Sequence, residues 1–112
     1  MKSSIFCLFL SGCALFVDLS EGARHQIWVE DMLRNVGQKN MYDCLYWICK
    51  DRSDLRLFEG DKLLSNGNLE ARYRWPATQK CRYFFEYERA TGLIVGFRFE
   101  ESEQFACRFS GA

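Results

Sequence analysis

Between residues 69 and 99 apolar and polar side chains alternate three times over, and this pattern limits the possible folds more than any other feature. Leu69, Ala71, Tyr73 and Trp75 alternate with Glu70, Arg72 and Arg74, and Pro76 ends the run. Tyr83, Phe85 and Tyr87 alternate with Arg82, Phe84, Glu86 and Glu88. Leu93, Val95, Phe97 and Phe99 continue the pattern after Arg89-Ala90-Thr91-Gly92. A period of two is that of a half-buried strand, and a Gly-containing break between two such runs is that of a hairpin. Ser65-Asn66-Gly67-Asn68 precedes the first run and holds Asn-Gly, the strongest short turn signal.

Residues 25–36 have a different period. Trp28, Val29, Met32, Leu33 and Val36 recur at three- and four-residue spacing, which predicts a helix with one apolar stripe. Glu30 and Asp31 lie in its first half, and Gly37 is a natural stop. Residues 41–49 are aromatic and β-branched and predict a strand covered on both faces. Residues 55–64 read as irregular, and Phe105, Cys107 and Phe109 predict a last strand. One early helix before an antiparallel meander is an α+β domain, with the N-terminal helix packed on a four- to five-stranded antiparallel sheet.

The first residues set the compartment. Lys2 precedes Ile5–Val17, an uncharged apolar run of 13 residues, and small residues follow at Ser20 and Gly22. This order predicts a cleaved secretory signal over residues 1–22 and one domain over 23–112. The run is shorter than the ~20 residues a spanning helix needs, so the expected product is secreted, monomeric and free of the membrane. Cys7 and Cys13 leave with the signal, whereas Cys44, Cys49, Cys81 and Cys107 remain, an even set that reads as a disulfide framework. A core this small gains from such staples. In an extended strand Cys44 and Cys49 point to opposite faces, so each is expected to bond to Cys81 or Cys107, which leaves two connectivities. Lys2, Asp18 and Glu21 also leave, so the 15 basic and 15 acidic residues of the whole chain become 14 and 13. A balance so near neutral predicts no general pull toward nucleic acid or anionic membrane.

Motifs for catalysis are scarce. His25 is the only histidine, and it begins the predicted helix. There is no Gly-x-Ser-x-Gly turn, no phosphate-binding glycine loop and no Cys-x2-Cys pair of the kind zinc favours, so no metal or cofactor is expected. Glu100, Glu101 and Glu103 read as a solvated acidic cluster. The arginines are more suggestive. Arg72, Arg74, Arg82 and Arg98 fall on the polar sides of three strands, where they would form one surface suited to phosphate or an acidic partner. Phe84, Tyr73 or Trp75 could add a stacking surface. Glu70, Glu86 and Glu88 share those polar sides, so a salt-bridged solvent face is the plainer expectation.

The order of these segments resembles a known group. Tyr42-Asp43-Cys44, Trp47-Ile48-Cys49, Tyr73-Arg74-Trp75-Pro76, Cys81-Arg82-Tyr83-Phe84-Phe85, Thr91–Gly96 and Phe105-Ala106-Cys107 together are similar to the fungal guanyl-specific secreted ribonucleases. They resemble still more the ribonuclease-like effectors secreted by powdery-mildew fungi. The resemblance covers most of residues 25–109 and implies a microbial-ribonuclease-like fold. It also implies lost catalytic groups. Where the active enzymes carry a carboxylate before an aromatic-proline pair, Arg74 stands. Arg82 matches their arginine. Their late histidine would fall near Phe97–Phe99 and their earlier one near Cys44, and neither is present. The implied function is that of a non-catalytic effector acting in host plant tissue and inside host cells. It would bind a host protein, such as an intracellular immune receptor, or host RNA, through Arg72, Arg74, Arg82 and Arg98 as contacts. An active ribonuclease with a rearranged site, and a disulfide-stapled inhibitor or toxin module, are the alternatives. In the family an aromatic-x-Cys motif precedes the helix and bonds to the terminal cysteine, whereas both copies here follow the predicted helix.

Overall fold

The computed structural model describes residues 20–51, 57–76 and 78–110. Helix α1 spans Glu21–Leu33, and strands β1 (Phe58–Leu63), β2 (Leu69–Arg74), β3 (Cys81–Tyr87) and β4 (Ile94–Glu101) follow. The strands form one antiparallel sheet in the order β1-β2-β3-β4. The architecture is the expected α+β layer of one helix on an antiparallel sheet.

The helix starts earlier than its apolar stripe. Ser20 Oγ accepts a hydrogen bond from Ala23 N at 3.1 Å and caps the first turn. Glu21 adds a charge that suits the helix N-terminus. Most of the expected leader lies outside the described residues, and only Ser20, Glu21 and Gly22 of it are seen. Leu33 ends the helix, and the chain leaves through Gly37, whose φ of 90° favours glycine. Gly37 N donates to Ile94 O at 2.8 Å and ties this exit to β4. Of the predicted stripe Trp28 and Met32 are buried, while Leu33 stays exposed.

Trp28 is the centre of the core. Its ring meets Trp75, Tyr83, Phe97 and Phe99 at centroid distances of 5.7, 5.7, 5.8 and 5.6 Å. Below it the inner face of the sheet is built in rows fixed by the register. Tyr73, Tyr83 and Phe99 form one row; Ala71, Phe85 and Phe97 the next; Leu69, Tyr87 and Ile94 the last. Tyr73 and Tyr83 stack at 4.9 Å. Their hydroxyls, too deep for water, donate to Ile48 O at 2.9 Å and Trp47 O at 2.7 Å. Burial holds both phenols far above their ordinary pKa.

Three sequence expectations fail, each for a physical reason. Residues 41–49 are not a strand. Asp43 N donates to Asn40 O, Leu45 N to Asp43 O and Ile48 N to Leu45 O, so the segment is a chain of tight turns. It spends its backbone groups locally and on the two tyrosine hydroxyls, and it buries only Met41, Ile48 and Cys49. The expected last strand is also irregular. Residues 102–109 fold back over the end of the sheet, where Trp75 Nε1 donates to Arg108 O and Thr78 Oγ1 to Ala106 O. Conversely β1 forms within a segment read as irregular. It is an edge strand with one bulge at Phe58/Gly60 and a mostly exposed surface, so it carries no apolar alternation to detect.

The disulfides follow from these corrections. Cys44 bonds to Cys49, and Cys81 bonds to Cys107. The expectation that Cys44 and Cys49 cannot bond, and the family-implied bond from an aromatic-x-Cys motif to Cys107, are both overturned. Because the 41–49 segment turns rather than extends, the two Cα atoms approach to 4.3 Å. The longer Cys81–Cys107 loop contributes about 3–4 kcal/mol by chain entropy and the short Cys44–Cys49 loop about 2 kcal/mol. Two disulfides are consistent with an extracellular protein. Among the described residues no helix is long and apolar enough to cross a membrane.

Candidate functional site

The outer face of the sheet, turned away from α1, carries the predicted arginines together. The register arranges them in rows across β2, β3 and β4. Arg74, Arg82 and Glu100 form the first row, Arg72, Phe84 and Arg98 the second, and Glu70, Glu86 and Gly96 the third. The face therefore runs from basic at one end to acidic at the other.

The middle row is a stack. Arg98 lies over the Phe84 ring at 3.9 Å and Arg72 at 6.0 Å, so the two guanidinium groups cover a ring left only 2% exposed. Arg98 also forks onto Glu70, with Nε–Oε2 at 3.1 Å and Nη2–Oε1 at 3.0 Å, and reaches Glu100 at 3.0 Å. Hydrogen bonding to Glu70 is the main reason its pKa rises above the ordinary arginine value. Arg72 has no carboxylate partner among the described residues. Its guanidinium is the available cation of the row.

The expected aromatic stacking surface does not form. Tyr73 and Trp75 belong to the inner layer and are buried. Phe84 is on the outer face, but arginines cover it. Any planar ligand group would meet guanidinium planes, not a ring.

In the first row the like charges of Arg74 and Arg82 face each other across the strands. Glu59, on the β1 bulge, sits between them. Its Oε2 accepts from Arg74 Nε at 2.9 Å, and its Oε1 lies 3.3 Å from Arg82 Nε. Sequence reasoning missed Glu59 because the strand that carries it has no period. In the third row Glu70 and Glu86 are direct neighbours, and each is satisfied separately. Glu86 accepts from Asn68 Nδ2 at 2.7 Å and Asn66 Nδ2 at 3.0 Å. These bonds hold its carboxyl below the usual range. The Asn66-Gly67 turn thus works twice, as a hairpin reversal and as a brace for a carboxylate.

At the basic end of the face a cleft of about 330 Å³ opens against the 79–80 and 100–102 segments. Arg74, Lys80, Arg82, Glu100, Glu101 and Ser102 line it with Gln79, whose backbone takes a φ of 57°. Lys80 Nζ reaches Glu103 at 2.6 Å and depresses that carboxyl's pKa. Glu101 faces both ways. It lines the cleft, accepts from Cys107 N at 2.8 Å, and lies 3.3 Å from His25 Nδ1. Of the acidic residues read from the sequence as a solvated loop, Glu100 and Glu101 are part of the cleft wall, and Glu100, Glu101 and Glu103 each belong to an ion pair.

His25 is not exposed at a helix start. It is the second turn of α1 that brings it against Phe99 and Phe105, with ring centroids 5.4 and 5.3 Å away. Its Nδ1 is 2.7 Å from Cys107 O. A carbonyl can only accept, so Nδ1 carries the proton in this arrangement. His25 is absent from the cleft lining that includes Arg82.

Among the described residues no group of three His, Cys, Asp or Glu side chains is arranged to hold a metal ion. A scan against protein-family models, a search of curated proteins and a search of solved structures each return no match for this chain.

Proposed function

We propose that this chain is a secreted, non-catalytic ribonuclease-like effector whose outer sheet face binds an anionic host partner, either RNA or an acidic protein surface. The observation that carries the reading is the stacked row Arg72–Phe84–Arg98 beside the Arg74/Arg82 pair at the mouth of a cleft. Guanidinium planes fixed by a ring and by carboxylates are ordered before a ligand arrives, which lowers the entropy cost of binding. Glu59 pairs with two of these cations in the free protein and offsets one of their charges, so a phosphate or carboxylate must compete with it. Selective binding, not general adhesion to polyanions, is the expected result of such competition.

Catalysis would require a base and an acid placed on either side of a phosphodiester. The outer face presents arginines and carboxylates with no histidine among them. Host-cell entry and detection by an immune receptor rest on the sequence resemblance. The test is fluorescence anisotropy of a labelled single-stranded RNA with the secreted chain, at two salt concentrations. Glu59→Gln should tighten binding several-fold by freeing two cations, and Arg72→Ala should weaken it by a similar factor. No effect of either substitution on RNA, nor on capture of an acidic host protein, would remove the outer face from consideration.

One observation favours a second reading, an active ribonuclease with a rearranged site. Glu101 lies in the cleft with Arg82 and is paired with the only histidine. Cleavage of RNA that survives exhaustive purification and is lost in both Arg82→Ala and His25→Ala would establish that reading and end the first.

A further inference from the structure

The two disulfides differ in access and in ring size. Cys81 and Cys107 are both fully buried. Cys44 is exposed, and its bond with Cys49 opens onto a surface hollow of about 150 Å³. Thiol–disulfide exchange needs a thiolate to reach a sulfur, so access sets its rate. The ring closed by Cys44–Cys49 is also short, with a sequence separation of 5 against 26, so the fold loses less chain-entropy stabilisation when that bond opens.

The segment around Cys44–Cys49 does not depend on that bond for its place. Met41 N donates to Gly92 O at 3.1 Å. The Tyr73 and Tyr83 hydroxyls hold the carbonyls of Ile48 and Trp47. Lys50 Nζ reaches Asp61 Oδ2 at 3.2 Å, and it lies 4.3 Å from the Tyr87 ring centroid and 5.4 Å from that of Phe58. Anchors therefore stand on both sides of the ring. Cys81–Cys107, by contrast, joins the start of β3 to the folded-back tail.

We propose that Cys44–Cys49 is a redox switch that a dithiol reductant opens while Cys81–Cys107 stays closed and the fold is retained. A thiolate of the reductant attacks Cys44 Sγ. The Cys44–Cys49 bond breaks, a mixed disulfide forms, and Cys49 leaves as a thiolate. The second thiol of the reductant then displaces Cys44, and its own two sulfurs join. Two electrons pass from reductant to protein, and the two cysteine thiolates take up the protons the reductant released. The hexapeptide Cys44–Cys49 displays Leu45 and Tyr46, both large and exposed, so the state of the bond sets how rigidly that pair is presented. The switch is independent of what the outer face binds.

The test uses the full secreted chain in dithiothreitol buffers of graded reducing power, quenched with iodoacetamide and mapped by mass spectrometry. Cys44 and Cys49 should be labelled at least roughly tenfold faster than Cys81 and Cys107. Near-ultraviolet circular dichroism should persist while they are labelled. Equal labelling of the two pairs, earlier labelling of Cys81 and Cys107, or loss of the near-ultraviolet signal together with Cys44–Cys49 would overturn the proposal. A Cys44→Ser/Cys49→Ser double variant should fold with the oxidised protein's spectrum, and its failure to fold would equally end the idea of a switch.

Discussion

The two faces of the sheet use the same strands for opposite purposes. On the inner face every row contains a large ring or aliphatic group, and its hydroxyls are spent on partners within the chain: Tyr73 and Tyr83 hold backbone carbonyls and Tyr87 donates to Asp61. On the outer face a single ring, Phe84, is enclosed by Arg98, which is paired with Glu70, and by Arg72, while Arg74 and Arg82 share Glu59. Shape decides the inner face, because an interior at close-packed density tolerates no substitute of another volume. Electrostatics decides the outer one, where partners can be exchanged for water or for a ligand at modest cost. A face that can lose a side chain without unfolding is a face free to bind.

That contrast can be broken most directly at its centre. Trp28→Ala should destabilise the chain by about 3–5 kcal/mol in urea unfolding, because it empties the space between four rings. A loss near 1 kcal/mol would show that the layer can collapse around the gap. Alkaline titration probes the same layer without a substitution. Tyr73 and Tyr83 have folded pKa values raised above their unfolded ones, so their contribution is complete below about pH 10 and declines as pH rises through that value. Each should cost about 1.4 kcal/mol of stability per pH unit in that range. Tyrosinate absorbance should therefore show a late, cooperative step that coincides with loss of near-ultraviolet dichroism, not two independent titrations.

Smaller effects sharpen the comparison. Tyr83→Phe keeps the ring and strands the Trp47 carbonyl, and should cost about 1–3 kcal/mol in the same assay. Removal of residues 20–22, which the expected cleavage after Gly22 would cause, takes away the Ser20 cap and the Glu21–Arg108 ion pair. A chain begun at Ala23 should be less stable than one begun at Ser20 by about 1 kcal/mol. N-terminal sequencing of the product made in a secretion-competent host tests the expected cleavage. At the outer face Arg72→Ala should change stability by less than ~0.5 kcal/mol. A loss of more than 2 kcal/mol there would mean that the outer row is as structural as the inner one.

Much of this was legible where side chains repeat with a period. The alternation at 69–75, 82–88 and 93–99 located β2, β3 and β4 and put the four arginines on polar sides, because a strand has only two sides; the pairing of the strands then joined them into one surface. Trp28 and Met32 were legible for the same reason on the helix. Where the period is lost the reading failed. β1 is an edge strand with little to bury, so Glu59 could not be foreseen between Arg74 and Arg82. Residues 41–49 have strand-like composition, yet they turn. Their carbonyls gain Tyr73 and Tyr83 as donors, an interaction between groups some 25 and 36 positions apart in the chain.

The sequence by itself determined the helix stripe, three strands, the Asn-Gly reversal and the placement of Arg72, Arg74, Arg82 and Arg98 on the polar sides of their strands. Each of these depends on residues a few positions apart, within reach of local geometry. Only the tertiary structure decided that Cys44 bonds to Cys49, that arginines enclose Phe84, and that His25 meets Glu101 and the carbonyl of Cys107. Those outcomes depend on which distant groups are brought together when the aromatic layer closes. Strand periodicity tells which side a residue faces, but not what it will find there.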